Sequence, residues 1–109
     1  MRCLLRLVVL ALLLVSTPAL ADSEREATAT GLTVLTPSST TYASYHGALT
    51  LSNGTGGSWA YYWGGTACSS YQAPSTAQIQ MLADAVARAA TVKVYYLSTY
   101  CLVGFRIRE

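Results

Sequence analysis

Alternating hydrophobic and polar positions predict five short β-strands in this chain, because successive side chains of a strand point to opposite faces. The predicted strands are Leu32–Leu35, Tyr45–Ser52, Ser58–Trp63, Val92–Leu97 and Cys101–Arg108. Clusters of Gly, Asn, Ser and Thr separate them. The clearest is the run from 53 to 57, which predicts a hairpin loop between the second and third strands.

A helical period replaces this alternation after Pro74. Ser75 is a candidate N-cap, and Gln78 three residues later completes a capping-box pattern. The positions that follow a 3.6-residue spacing are Ile79, Leu82, Ala83, Val86 and Ala90. We therefore expect one amphipathic helix that ends near Ala90 or Thr91 and packs on the strands through Ile79, Leu82 and Val86.

The element order, β-β-β-α-β-β, is that of the OB-fold. We therefore predict a mainly β domain with one α-helix (α+β), an OB-fold-like five-stranded antiparallel barrel, over residues 31–109. An open antiparallel sheet packed on one helix has the same element order. Residues 22–30 are charged and then small and polar, which predicts a flexible N-terminal arm.

The first 21 residues predict a secretory signal peptide. Two arginines precede an unbroken apolar run from Leu7 to Val15, and residues 19–21 form a small-x-small cleavage site. The run is too short to span a bilayer, which takes about 20 residues. We expect cleavage after Ala21, a secreted or periplasmic protein, and no integral membrane segment after removal of the leader.

Charge excludes one class of partner. Loss of Arg2 and Arg6 with the leader leaves 88 residues with five Lys or Arg against five Asp or Glu. A neutral domain lacks the basic footprint of nucleic-acid binding, so we expect no nucleic acid. So few charges also favour a surface that is covered in part by other subunits or a partner. An ordinary neutral secreted domain is the alternative.

The cysteines predict one crosslink. Cys3 leaves with the signal peptide, and Cys68 with Cys101 forms an even pair in an oxidising compartment, which favours a disulfide. The pair has no CxxC spacing, so a redox role is not indicated. Two cysteines with a single histidine make a poor zinc site. We expect no metal and no cofactor.

Catalytic signals are weak. The chain has one histidine, His46, and one carboxylate in mid-domain, Asp84. Neither belongs to a GxSxG elbow, a P-loop or a dinucleotide fingerprint. His46 on a strand is more commonly an exposed polar residue than a general base. We expect a binding protein and no enzyme.

The aromatic residues are the main functional signal, because sugars bind to aromatic faces with their hydroxyls on nearby polar groups. Tentative ligand-binding residues are Tyr42, Tyr45, Trp59 and Tyr62. Trp59 shares the odd-numbered strand face with Tyr61 and Trp63, and we expect that stripe to be mostly core packing. Tyr42, Tyr45 and Tyr62 are then the better surface candidates.

Lys93 and Arg106 form a second candidate site. A hairpin centred near Tyr100 would place them opposite each other on the outer face, where like charges are unfavourable. They would need an anion: Asp84, a carboxylate of a neighbouring subunit, or an acidic ligand such as a sialic acid. A solvated edge with salt ions is the alternative.

The segment from Thr91 to Tyr96 after the helix, followed by a strand containing Leu102–Phe105, resembles the B subunits of pentameric bacterial AB-type toxins, in the pertussis and subtilase cytotoxin branch. The resemblance covers 75–107, and 31–68 only by element order. It implies a secreted homopentamer that binds a cell-surface glycan and carries a catalytic toxin subunit. It supplies no sugar-binding residue. The alternative is a periplasmic protein–protein interaction or inhibitor-like protein without catalytic activity.

Overall fold

The structure, a computed structural model, describes residues 22–97 and 99–108. Its elements are β1 (Ser23–Val34), β2 (Gly47–Ser52), β3 (Ser58–Trp63), α1 (Thr76–Ala87), β4 (Thr91–Leu97) and β5 (Cys101–Arg108). The predicted order β-β-β-α-β-β is confirmed. The signal peptide lies outside the described residues and stays a prediction.

The five strands form a closed barrel in the order β1-β2-β3-β5-β4. Every neighbouring pair is antiparallel except β3 with β5, which run parallel and meet at Tyr62 and Cys101. Because β1 pairs with both β2 and β4, the sheet closes on itself. Of the two architectures that share this element order, the structure therefore has the closed barrel and not the open sheet.

The first strand begins earlier than the sequence indicates. Residues 23–28 pair with β4 from Tyr96 to Thr91, so the predicted flexible arm over 22–30 is wrong. Ala27 and Ala29 face the core, whereas Glu24 and Glu26 remain exposed. A register shift between Ala29 and Gly31 divides the strand, so that one half pairs with β4 and the other with β2. Pairing with a distant strand overrides the local polar composition.

The barrel interior holds the apolar residues of every element. The buried core is Ala29, Leu49, Leu51, Tyr61, Trp63, Leu82, Ala85, Val92, Val94 and Leu102. Of the predicted helix contacts, Leu82 is fully buried, and Ile79 and Val86 are partly buried against the core. Trp63 and Tyr61 are buried as expected for that stripe.

The predicted cap is confirmed at the start of α1. The Gln78 backbone N–H donates to Ser75 Oγ at 3.2 Å, and the Ser75 N–H donates to Gln78 Oε1 at 2.8 Å. The helix ends at Ala87, with Arg88 as C-cap, three residues before the predicted end. Ala89 has a φ of 51°, outside the helical region, and this turn ends the helix before Ala90.

The predicted disulfide between Cys68 and Cys101 is present. Cys68 lies in the connector after β3, and Cys101 is the first residue of β5. The bond therefore lies beside the point where β3 and β5 meet.

Candidate functional site

The loop between β1 and β2 folds back onto the connector that follows β3. The Thr66 N–H donates to the Ala43 carbonyl at 3.0 Å, and the Ala67 N–H donates to the Ser44 carbonyl at 2.9 Å. Gly64, with a φ of 75°, permits this approach: a Cβ there would lie 2.4 Å from Nδ1 of His46. The loop is thus held against the barrel by backbone contacts.

This loop assembles what we call the outer aromatic cluster: Tyr42, Tyr45, His46 and Tyr62. Tyr42 stacks on His46, with ring centroids 3.9 Å apart and planes 10° from parallel. Tyr45 meets Tyr62 edge to face at 4.8 Å. All four side chains are half-buried. The structure therefore places the three tyrosines that the sequence singled out in two aromatic pairs, which the consecutive residues Tyr45 and His46 link.

Trp59 lies apart from this cluster. It is on β3 like Tyr62, but alternation places it on the opposite face, partly buried against the core. The Arg25 guanidinium carbon lies 4.0 Å from the centroid of its ring. One face of this tryptophan is therefore already occupied by a cation.

Lys93 and Arg106 are direct neighbours on β4 and β5, as the sequence predicts. On the other side of Lys93 lies Glu26 of β1. Glu26 also accepts a hydrogen bond from Arg108 at 2.9 Å. The sequence-based search missed this carboxylate, because it placed Glu26 in a flexible arm.

Asp84 is not the anion that Lys93 and Arg106 were expected to need. It pairs with Arg88 on the same helix at 2.9 Å. An i, i+4 pair of this kind stabilises a helix by a few tenths of a kcal/mol. Asp84 is thus engaged within α1 rather than beside Lys93.

A second aromatic group lies inside one end of the barrel. Tyr61 packs against Tyr96 at 4.8 Å and against Tyr100 at 6.0 Å, and Tyr96 stacks on Tyr100 at 5.6 Å. We call these three tyrosines, with Arg25 and Trp59, the barrel-mouth cluster. Local sequence patterns do not reveal the barrel-mouth cluster, because it joins three strands and depends on the pairing of residues 23–28 with β4.

The Tyr61 hydroxyl is unusual in this group. It is buried and has no hydrogen-bond partner among the described residues. Burial raises the pKa of Tyr61 to about 12, and the positive charge of Arg25 partly opposes this rise. A buried phenol that cannot ionise at neutral pH is available as a hydrogen-bond donor.

A cleft of about 410 Å³ lies between the start of α1, the connector before it and β5. Its lining carries no ionisable side chain and includes Gln78, Met81, Val103 and Phe105. Val103 is the extra residue opposite the Tyr95–Tyr96 step, where Tyr95 pairs with Gly104 and Tyr96 with Leu102. The side chains of Met81 and Val103 are 52% and 36% exposed. The cleft thus offers an uncharged, partly apolar surface.

The part of the chain that the structure describes has neither a metal-binding cluster nor a membrane-spanning helix. Residues 22–97 and 99–108 contain no group of three His, Cys, Asp or Glu side chains that could hold a metal ion. In the same residues, no helix combines the length and the apolar character needed to cross a bilayer. A scan of protein-family models and searches of curated proteins and of solved structures found no match to this chain.

Proposed function

We propose that this chain is a secreted, non-catalytic carbohydrate-binding module whose sugar-binding surface is the outer aromatic cluster. The observation that carries the proposal is two aromatic pairs, Tyr45 with Tyr62 and Tyr42 with His46, which the consecutive residues Tyr45 and His46 link along the chain. These rings offer apolar surface for the C–H face of a pyranose, and their hydroxyls and imidazole offer polar contacts for its hydroxyls. With no carboxylate or fixed cation in the cluster, a neutral sugar is the ligand that it fits best.

The aromatic rings are also well placed for recognition. Backbone hydrogen bonds from Thr66 and Ala67 hold the loop in position, which limits the entropy lost on binding. Half-buried rings keep accessible surface while their orientation is fixed by neighbours. Such preorganised aromatic side chains are effective contacts for an uncharged ligand with one apolar C–H face.

The proposal extends to assembly with further copies of the chain. Within the described residues β5 meets β3 at one residue pair only, so its backbone edge beyond Leu102 is not paired to that strand. Unpaired edges are favoured sites for association with another chain. The resemblance to pentameric toxin B subunits supports a ring of five around a separate catalytic chain.

A sugar titration tests the binding surface. We expect neutral oligosaccharides to bind the oxidised protein and to shift the NMR signals of Tyr45 and Tyr62. The double variant Tyr45→Ala/Tyr62→Ala should bind at least tenfold more weakly, about 1.4 kcal/mol, if both rings contribute. The matched control is Tyr95→Ala, since Tyr95 is a half-buried tyrosine on β4.

Equal affinity in the double variant and the control would remove the assignment of the surface. Absence of binding across a broad sugar panel would remove the carbohydrate proposal itself. Light scattering after size exclusion tests assembly separately. A mass of about five protomers supports the ring, and a monomer contradicts it.

The cleft beside α1 favours a second candidate function, a protein-binding role. Its exposed apolar residues, Met81 and Val103, could hold an apolar side chain of a partner protein. Free sugars would not compete with such a partner. The variant Met81→Ser should weaken capture of that partner and leave sugar binding unchanged, whereas inhibition of capture by free sugar would contradict this role.

A further inference from the structure

The barrel-mouth cluster contains two polar groups that point toward the barrel interior. Arg25 alternates with Ala27 and Ala29 along β1, and those two alanines contact the core, so Arg25 shares their inward face. Its neighbour on β4 is the buried Val94. A guanidinium has therefore been placed inside the end of an apolar barrel.

Arg25 has no carboxylate partner in the part of the chain that is described. The ion pairs recorded there join Arg88 with Asp84 and Arg108 with Glu26. Glu24, next to Arg25 in sequence, lies on the opposite, exposed face of β1. Arg25 instead lies over the face of Trp59, and its forked N–H donors have no anion to bind.

The Tyr61 hydroxyl is the second inward-pointing polar group of the barrel mouth. Its side chain is fully buried, yet its hydroxyl has no partner in the described residues. Buried hydroxyls almost always find one, and each exception calls for an explanation. Arg25 covers the ring of Trp59, and Trp59 lies two residues before Tyr61 on the same inward face of β3, so the guanidinium and the hydroxyl belong to the same end of the barrel.

We propose that the barrel mouth is a binding site for a small carboxylate ligand, held by the Arg25 guanidinium and the Tyr61 hydroxyl between aromatic walls. Two parallel N–H bonds from the guanidinium match the two oxygens of a carboxylate, and the phenol donates a third bond. Tyr96 and Tyr100 stack on each other beside Tyr61 and form one aromatic wall of the site, and Tyr100 is 48% exposed at the entrance.

Charge selects a carboxylate over a phosphate. The cluster holds one cation, Arg25, and a single guanidinium balances a single negative charge. A phosphate at neutral pH carries more charge than the described residues of the mouth could neutralise in a partly desolvated site. The site goes beyond the proposed sugar surface, since Tyr61 and Tyr62 are adjacent and point to opposite faces of β3.

Benzoate is the probe, with benzamide as its uncharged counterpart and inorganic phosphate as the competing anion. Benzoate should bind the oxidised protein and change its tryptophan fluorescence, because the carboxylate draws the guanidinium away from Trp59. Benzamide and phosphate should bind at least tenfold more weakly. The readout does not depend on sugar binding, so failure here and failure of the carbohydrate proposal are distinguishable.

Three variants make the test specific. Arg25→Gln removes the charge and should weaken benzoate binding at least thirtyfold, and Tyr61→Phe removes only the hydroxyl and should weaken it about tenfold. Arg88→Gln, a matched loss of an exposed arginine on α1, should leave affinity unchanged. The proposal is overturned if the folded protein, verified by near-ultraviolet circular dichroism, does not bind benzoate at millimolar concentration. It is equally overturned if benzamide binds as well as benzoate, or if both mouth variants retain full affinity.

Discussion

Reduction of the Cys68–Cys101 disulfide is expected to lower the free energy of unfolding by about 4 kcal/mol at 25 °C. The two cysteines are 33 positions apart, and the entropy lost by the unfolded chain when a loop of that length is closed corresponds to this value. A domain of 88 residues is typically stable by about 4 to 13 kcal/mol in total. The crosslink therefore supplies a third or more of the stability.

Reduction of the disulfide should destabilise the contact between β3 and β5 more than the rest of the barrel. Those strands share the pair Tyr62 and Cys101, where the Tyr62 N–H donates to the Tyr100 carbonyl at 2.9 Å. With so little direct pairing, the disulfide is the main local restraint on barrel closure. We expect the Tyr62 amide to exchange faster after reduction, while amides between β1 and β2 change less.

Urea unfolding followed by tryptophan fluorescence measures the effect, because Trp63 is buried in the native barrel. The oxidised protein, the reduced protein and the variant Cys68→Ala/Cys101→Ala are compared. Reduction keeps both sulfur atoms, so it separates the crosslink from the volume lost in the double alanine variant. A difference below about 1 kcal/mol between the oxidised and reduced proteins would refute the loop-entropy argument.

Substitutions at three further positions test the barrel mouth, the loop contact and the helix cap. Tyr61→Phe should raise the free energy of unfolding by about 1 to 3 kcal/mol in the absence of ligand, because it removes a buried hydroxyl without a partner; a loss of stability would show that the hydroxyl is bonded. Because the pKa of Tyr61 is raised from 10.0 to about 12, the unfolded chain loses this proton at a lower pH than the folded protein does, so the free energy of unfolding falls as the pH rises from 10 toward 12; Tyr61→Phe should reduce that decline in unfolding curves measured across the range. Gly64→Ala should cost at least about 2 kcal/mol, since the new Cβ meets His46 and the φ of 75° disfavours a side chain; thermal unfolding close to wild type would contradict this account. Ser75→Ala should cost about 1 kcal/mol in urea unfolding through loss of the cap, and Ser75→Gly should cost less.

The barrel mouth and the outer aromatic cluster, the proposed sugar-binding surface, differ in how far they can be predicted from the sequence. Tyr42, Tyr45 and Tyr62 were recognisable because they fall outside the apolar stripe of the third strand. Arg25 and Glu26 were not, because their role depends on β4 pairing with residues that look locally like a polar arm. The pairing of residues 23–28 with β4 places Glu26 beside Lys93, and it brings Arg25 into the barrel, where it covers Trp59.

The sequence by itself determined the features that depend on neighbours within a few positions. Alternation predicted β3 and β5, the Ser75–Gln78 pattern predicted the start of α1, and the two cysteines of residues 22–109 allow a single intramolecular pairing. Only the tertiary structure decided barrel closure, the early start of β1 and the burial of the Tyr61 hydroxyl. Those features arise from contacts between residues distant along the chain, where burial and strand pairing outweigh local propensity.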